Sequence, residues 1–236
     1  MRPEHLALFA CPACQGELLG DADDAAELAC LGCAARYPIR EGVPRFPVGR
    51  DDEGAVTRRT ADTYHFAWRR FGRSEIEDGW EKDSYHYAEL IPRDLMSGQG
   101  KTGLDAGCGG GADLLRLASG EATLIGVDIS EGAAVASRMT RHLPNVQVAQ
   151  ADLHQLPFRP GTFDFIYSFG VLHHLPDPAA ALRRLTKLLK PGGCFITYLY
   201  EDFSDRSWPE RMLLAIVRGI RVVTSRLPKP ALYVLC

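Results

Sequence analysis

The chain has 236 residues, of which 46% are hydrophobic and 24% are charged, and its net charge is −3 at pH 7. This length suits one medium domain and a small module, while the charge gives no bulk electrostatic reason to bind nucleic acid. No apolar run is long enough to span a bilayer, and residues 1–10 lack the pattern of a signal peptide. We therefore expect a cytoplasmic protein whose cysteines stay reduced.

Four cysteines near the start of the chain are spaced as metal ligands. Cys11 and Cys14 form one C-x2-C pair, and Cys30 and Cys33 form a second pair after fifteen further residues. Two such pairs point four thiolates at one ion, which predicts a structural Zn2+ site in a zinc ribbon over residues 1–47. Zinc binding would offset the ordering cost of so small a module. The alternative is four unconnected thiols.

The cysteine pairs and residues 37–46 together resemble the small zinc-ribbon protein that partners and activates RNA and protein methyltransferases. The resemblance implies a supporting or docking role for residues 1–47, which are here fused to the rest of the chain. It does not by itself imply an RNA substrate.

A strand, an acid and a glycine-rich turn occupy residues 104–111, the centre of the chain. Gly107, Gly109 and Ala112 fit the spacing G-x-G-x-x-G/A, which many nucleotide-binding folds share. Glycine has no Cβ atom and lets the backbone approach a ligand closely. Strand and helix patterns alternate over residues 101–200, which predicts an α/β fold with a parallel sheet covered on both faces.

Three acids stand at the ends of consecutive predicted strands, namely Asp105, Asp128 and Asp152. The carboxyl ends of parallel strands share one edge of a sheet, where open α/β sheets bind ligands. Residues 105–111, with Asp128 and Asp152, resemble the class I S-adenosylmethionine-dependent methyltransferases. The closer likeness is to the small-molecule branch typified by ubiquinone and menaquinone biosynthesis methyltransferases. The resemblance implies a Rossmann-like core over residues 101–200.

The resemblance also implies how S-adenosylmethionine would be bound. Asp105 and the glycine turn would meet its amino acid head, Asp128 its ribose hydroxyls, and Asp152 its adenine amine. The full set of candidate cofactor-binding residues is Asp105, Gly107, Gly109, Gly111, Asp128, Ile129, Asp152, Leu153 and Ser168. The implied reaction is a direct displacement that moves a methyl group to oxygen, carbon or nitrogen of a small-molecule or lipid-like acceptor.

Two adjacent histidines, His173 and His174, follow the fourth predicted strand and are the candidates for a catalytic base. The alternative, which we favour and more strongly for His174, is that they pack and cap the loop before the next helix. Methyltransferases of this fold that act on base amines carry an Asn/Asp-Pro-Pro-Tyr/Phe motif here. This chain has Ser168-Phe169-Gly170 instead, which disfavours a nucleic-acid acceptor.

Residues 48–100 are predicted to form a linker and a helical lid segment. Tyr64, Trp68 and Phe71 share one helical face, and the family resemblance implies that this face covers cofactor and acceptor. The alternative is that the aromatic residues simply pack on the core.

The end of the chain departs from the family. Pro191–Gly193 is predicted to end a helix, and residues 194–200 to form the fifth strand. The family adds two antiparallel edge strands, but residues 201–236 contain no convincing pair, so we expect a truncated chain or a lineage without them. Residues 212–226 predict a basic amphipathic helix, which we expect to cover the acceptor site or form a dimer face rather than lie on a membrane.

Two other functions remain open at this stage. A nicotinamide-dependent oxidoreductase would also use the glycine spacing and Asp128, but Asp105 and Asp152 count against it. A non-catalytic scaffold that docks through its zinc ribbon is favoured by the missing edge strands and opposed by the intact cofactor motifs. Fold alone does not decide between these functions.

Overall fold

The computed structural model describes residues 1–20, 26–47, 62–64, 66, 90–200 and 205–224. The chain divides into one compact unit over Met1–Leu199 and a second over Tyr200–Cys236. The predicted linker and most of the predicted lid segment, including Trp68 and Phe71, lie outside the described residues.

The N-terminal region is a small antiparallel sheet with a short helix before it. The elements are α1 (Pro3–Leu6), β1 (Leu18–Leu19), β2 (Glu27–Cys30), β3 (Arg36–Arg40) and β4 (Val43–Pro44), and the strand order is β1-β2-β3-β4. Gln15 and Ala34, each just after a cysteine pair, adopt positive φ values of 61° and 58°. Their N–H groups donate to the carbonyls of Cys11 and Cys30, which closes a tight turn around each pair.

The central region is a five-stranded parallel sheet with the order β7-β6-β5-β8-β9. Its elements are α2 (Arg93–Met96), β5 (Thr102–Ala106), α3 (Ala112–Leu117), β6 (Thr123–Asp128), α4 (Gly132–Thr140), β7 (Val146–Gln150), β8 (Phe163–Phe169), a 3-10 turn (Leu172–His174), α5 (Pro178–Lys187) and β9 (Leu189–Tyr198). The predicted α/β class with a parallel sheet is confirmed. In the described part of the chain, no antiparallel edge strand pairs with β9.

The predicted start of the fifth strand was wrong. Strand β9 begins at Leu189, so Pro191–Gly193 lies inside the strand rather than after a helix. The register jumps from the pair Phe163 and Leu189 to the pair Phe165 and Cys194. Extra residues on one strand form a bulge, and Gly192 supplies the positive φ of 78° within it.

The zinc-ribbon region and the parallel sheet share one hydrophobic core. Phe9, Tyr37 and Phe46 belong to the same buried cluster as Leu104 and Ile166. The ring of Phe9 also lies 5.1 Å from that of Phe158. Burial of apolar surface is the main stabilising contribution to a fold, so the stability of the ribbon depends on the sheet beside it.

The ribbon also covers one edge of the parallel sheet. Arg45 forms a parallel bridge with Gln150 at the end of β7, and the N–H of Phe46 donates to the Gln150 carbonyl over 2.8 Å. An exposed strand edge invites unwanted pairing. The segment after β4 therefore protects the β7 edge.

The second unit contains helix α6 (Trp208–Thr224), which begins four residues earlier than the sequence predicted. The backbone N–H and the hydroxyl of Ser207 both donate to Oε2 of Glu210, at 3.0 and 2.7 Å. The bond from the Ser207 N–H is one of the two hydrogen bonds of a capping box, and it stabilises the start of α6 at Trp208. Within the described residues, no helix is long and apolar enough to cross a membrane.

Candidate functional site

The three predicted acids lie along one edge of the parallel sheet. Asp105 is next to the last residue of β5, Asp128 is the last residue of β6, and Asp152 follows β7 by two residues. The register pairs Ala106 with Val127 and Asp128 with Gln150, so the three strands end side by side. The expectation that the sheet brings these acids to one edge is met.

The glycine turn after β5 adopts a conformation that favours glycine. Gly107, Gly109 and Gly111 have φ values of 96°, 49° and 87°, a region that residues with a Cβ atom rarely adopt. The N–H groups of Gly107 and Cys108 both donate to the Val127 carbonyl, at 2.8 and 3.0 Å. These bonds attach the turn to the end of β6.

Close packing is a second reason for glycine in this turn. A Cβ atom on Gly107 would lie 2.4 Å from a methyl carbon of Val171, in the loop after β8. A Cβ atom on Gly111 would lie 2.8 Å from the Cβ of Ala136 in α4. The turn is thus held between two neighbouring elements, and any larger residue at Gly107 or Gly111 would displace them.

The Asp128 carboxylate is oriented by three hydrogen bonds. It accepts from the N–H of Gly109 over 3.0 Å and from the N–H and hydroxyl of Ser130 over 2.8 and 2.6 Å. Ile129 lies between Asp128 and Ser130, and its carbonyl accepts a hydrogen bond from the side-chain amide of Gln150 over 3.0 Å. A fixed carboxylate is suited to bind hydroxyl groups, because its remaining lone pairs point in defined directions.

Asp105 is buried, with 4% of its surface exposed. Burial raises its pKa well above the ordinary value, the negative charges of Asp113 and Asp128 raise it further, and the Tyr167 hydroxyl opposes the shift. Desolvation penalises an isolated carboxylate, and a neighbouring cation relieves the penalty. A cation next to Asp105 would therefore stabilise its ionised form.

Asp152 pairs with a histidine that the sequence analysis missed. The N–H of His154 donates to Oδ1 of Asp152 over 2.8 Å, and the ring Nδ1 lies 3.1 Å from the same oxygen. Nε2 of His154 lies 3.3 Å from the Asp177 carbonyl. The Asp152 hydrogen bond is the main cause of the raised pKa of His154. Leu153, between the pair, is buried.

Ser168 lies at the end of β8 and is fully buried. Its hydroxyl donates to the carbonyl of Ala106 over 2.7 Å, which ties β8 to β5. The side chain thus has a structural partner within the sheet.

His173 and His174 occupy the 3-10 turn after β8, and their ring centres lie 4.1 Å apart. Burial lowers the pKa of His173. The ring of Tyr64 meets His174 edge-on, with centres 5.8 Å apart. This residue of the predicted lid segment therefore contacts the loop that carries both candidate bases.

The four cysteines of the ribbon form a compact cluster. Their Sγ atoms lie within 4.8 Å of one another. Two of the separations are 3.6 Å, for Cys11 and Cys33, and 3.4 Å, for Cys14 and Cys30. A tetrahedral zinc with Zn–S bonds of about 2.3 Å requires separations of about 3.8 Å. The donor set and its size therefore fit zinc.

Hydrogen-bond donors lie next to several of the cysteine sulfurs. The backbone N–H groups of Gly16 and Gly32 donate to the Sγ atoms of Cys14 and Cys30 over 3.4 and 3.3 Å. The Tyr37 hydroxyl lies 3.0 Å from Sγ of Cys11. Burial opposes ionisation of Cys11, but hydrogen bonds from Tyr37 and from backbone lower its pKa, whereas the neighbouring cysteine sulfurs raise the pKa of Cys14 and of Cys33 against the hydrogen bonds from backbone. Such outer contacts orient metal ligands.

Comparison with protein families supports both parts of this arrangement. Residues 104–197 match the family described as a methyltransferase domain, and residues 2–42 match the family described as Trm112p-like protein. The chain is thus similar to a Trm112p-like protein over one segment and to a methyltransferase domain over another. The four cysteines lie in the Trm112p-like module, whereas all candidate cofactor-binding residues lie in the methyltransferase domain.

Several known proteins are similar to part of this chain. An uncharacterized 37.1 kDa protein in a transposon of Streptomyces fradiae is 43% identical over 111 residues, covering 45% of this chain and 32% of that protein. A ubiquinone biosynthesis O-methyltransferase of Acinetobacter baylyi is 32% identical over 136 residues, covering 55% of this chain and 54% of that enzyme. This chain spans about half the length of the ubiquinone biosynthesis O-methyltransferases that it matches.

Among solved structures, the complex of the Haloferax volcanii Trm112 methyltransferase activator contains a similar chain. It is 24% identical with a TM-score of 0.49, and the match covers 60% of this chain and 65% of that chain.

Proposed function

We propose that the protein is an S-adenosylmethionine-dependent methyltransferase that acts on a small-molecule or lipid-like acceptor. One observation carries the proposal: three acids and a glycine turn line one edge of the sheet within a methyltransferase domain. The acceptor class rests on the ubiquinone biosynthesis O-methyltransferases among the relatives.

In this proposal the turn and two acids bind the polar end of the cofactor. The backbone of Gly107, Gly109 and Gly111 would bind its carboxylate, because the positive-φ turn leaves main-chain groups accessible without Cβ atoms. Asp105 would bind its ammonium group, which relieves the cost of the buried carboxylate. Asp128, already oriented by Gly109, would accept hydrogen bonds from both ribose hydroxyls.

The adenine end would lie beyond β7. The Asp152 carboxylate would accept a hydrogen bond from the adenine amine, and His154 would hold that carboxylate in place. Ile129 and Leu153 would lie beside the nucleoside. Ser168 is proposed to line the site with its main chain, because its hydroxyl already bonds to Ala106.

When bound, S-adenosylmethionine supplies a methyl group on a sulfonium, which is already a good electrophile. The residues of the chain would mainly align the acceptor and exclude water. An acceptor that loses a proton needs a base, and His173 or His174 would fill that role. The lowered pKa of His173 keeps its imidazole neutral near pH 7, and the neutral form accepts protons.

The zinc ion is proposed to be structural. Cys11, Cys14, Cys30 and Cys33 would complete a tetrahedral set and leave no open position for water or substrate. Thiolate ligands persist in a reducing compartment, which supports the expected cytoplasmic location.

Calorimetric titration with S-adenosylhomocysteine tests the cofactor site. The wild-type chain should bind with micromolar affinity, and Asp128→Ala should weaken binding at least about tenfold, which is about 1.4 kcal/mol. Asp94→Ala, the same chemical change at an exposed position in α2, should leave the affinity unchanged. A folded wild-type chain that does not bind would contradict the proposal. Binding without methyl transfer to any quinol, phenol or lipid acceptor would favour the scaffold function.

A further inference from the structure

A guanidinium group of the ribbon contacts the loop that carries Asp128. Arg45 follows β4, and its Nη1 and Nη2 atoms donate to the two carboxylate oxygens of Glu131 over 2.5 and 3.2 Å. Glu131 lies three residues after Asp128. The Arg45 and Glu131 side chains are only 18% and 27% exposed. A shielded pair with two parallel hydrogen bonds fixes both position and angle.

The same guanidinium reaches the loop by a second route. Nη1 of Arg45 donates to Oε1 of Gln150 over 2.7 Å, and Nε2 of Gln150 donates to the Ile129 carbonyl over 3.0 Å. Arg45 therefore holds the loop at Glu131 directly and at Ile129 through one amide. Both points lie within three residues of Asp128.

Asp128 in turn is connected to the glycine turn through the N–H of Gly109. Hydrogen bonds at both ends and the short backbone segment of residues 128–131 between them thus connect the ribbon to the turn at the end of β5. A displacement of Glu131 and Ile129 would move the Asp128 carboxylate, because the intervening chain is so short.

We propose that Arg45 is a positioning residue through which the ribbon sets the affinity of the Asp128 loop for the ribose of a nucleoside cofactor. The inference rests on the proposed function, since it concerns the same cofactor site. The ribbon is then a regulator of cofactor binding within one chain, in addition to a cover for the sheet edge. Lysine would not replace Arg45, because an ammonium lacks the planar pair of donors.

A second ion pair between ribbon and methyltransferase domain provides a matched control. Nη1 of Arg138, in α4, lies 2.9 Å from Oε2 of Glu41. The Arg138 and Glu41 side chains are 55% and 64% exposed. Exposed pairs contribute little, and Arg138 lies ten residues after Asp128. Its loss removes a contact of the same type without affecting the cofactor site.

The test measures S-adenosylhomocysteine affinity, zinc content and thermal unfolding for Arg45→Met, Glu131→Gln, the double variant and Glu41→Gln. Arg45→Met should raise Kd about five- to tenfold, at the lower end of typical coupling between sites. Glu131→Gln leaves the ribbon side chain intact and should give a similar increase. The double variant should have a Kd little higher than that of either single variant, because each substitution removes the same interaction. Zinc content should stay unchanged, and Glu41→Gln should bind as wild type.

Two results would overturn the inference in different ways. In the first, wild type binds, Asp128→Ala binds at least about tenfold more weakly, and both Arg45→Met and Glu131→Gln keep the wild-type Kd while only the melting temperature falls. Arg45 is then structural, and the proposed function stands. If the folded wild type fails to bind, the proposed function and this inference are both wrong.

Discussion

The backbone N–H of Gly109 donates to the Asp128 carboxylate over 3.0 Å, which joins the glycine turn after β5 to the acid that ends β6. The two motifs are separate in the sequence but form one structural unit at the sheet edge. The N–H and hydroxyl of Ser130 donate hydrogen bonds to the other oxygen of the Asp128 carboxylate. A change in either motif therefore displaces the other, and the predictions below treat turn and acid as coupled.

Replacing Gly111 by alanine is expected to destabilise the protein by about 2–5 kcal/mol. A positive φ costs an L-residue about 1–2 kcal/mol, and overpacking against Ala136 adds about 1–3 kcal/mol, because the new Cβ would lie 2.8 Å from that of Ala136. Gly161→Ala is the matched control, with a φ of 70° but no atom within 4 Å of the new Cβ. Urea unfolding measures both changes. Equal losses would show that packing at Gly111 is unimportant.

Cofactor affinity is expected to rise with pH through the raised pKa of Asp105. Burial and the charges of Asp113 and Asp128 raise that pKa in the free protein, so at pH values below the raised pKa the binding of an ammonium group would require loss of the Asp105 proton. Calorimetry in buffers of different ionisation enthalpy should detect this proton release, and Asp105→Asn should abolish it. The raised pKa also means that Asp105 destabilises the fold as pH increases above its ordinary value of 3.8. Binding without proton release would contradict a loss of the Asp105 proton on binding.

The sequence was sufficient to predict the sheet edge but not the contacts behind it. Asp105, Asp128 and Asp152 could be placed together because alternating strands and helices imply a parallel sheet, whose strands end at one edge. Ser168 shows the limit of this reasoning. Its position at the end of β8 was predictable, but the direction of its hydroxyl toward Ala106 depends on strand pairing.

Contacts between distant segments left no pattern in the sequence. Arg45 and Glu131 are 86 positions apart, and their pairing depends on how the ribbon packs at β7. His154 was missed for a different reason, since its partners Asp152 and Asp177 lie in separate loops. Helix α6 began earlier than predicted because the Ser207 and Glu210 capping box was overlooked, although both residues were visible in the sequence.

Cys30→Ser is expected to release zinc and to destabilise the whole Met1–Leu199 unit by several kcal/mol. Structural zinc contributes about 10–16 kcal/mol in small finger peptides, and Cys30 belongs to the same buried cluster as Leu104 and Ile166. Metal analysis and thermal unfolding should show zinc loss with one cooperative transition at lower temperature. Cys194→Ser, outside the cysteine cluster, should retain zinc. Retained zinc in Cys30→Ser would exclude the site, and separate transitions would contradict a shared core.

His154 is expected to stabilise the fold more at acidic than at alkaline pH. Both ring nitrogens face acceptors, Oδ1 of Asp152 and the Asp177 carbonyl, so the protonated ring satisfies both. The Asp152 hydrogen bond raises the pKa of His154 above its ordinary 6.5. A raised histidine pKa contributes stability that is complete below the unfolded pKa and is lost as pH rises through the folded pKa.

The difference in unfolding free energy between wild type and His154→Ala should therefore be largest near pH 5.5 and decrease toward pH 9, which urea titrations at a series of pH values would measure. The largest difference in unfolding free energy should be about 1–3 kcal/mol, as for hydrogen bonds to charged groups. His142→Ala is the control, since His142 is exposed after α4 and its replacement should change the unfolding free energy by no more than about 0.5 kcal/mol. A pH-independent loss for His154→Ala would indicate that the ring acts through packing alone, and the Asp152 carboxylate would then be positioned without a charged partner.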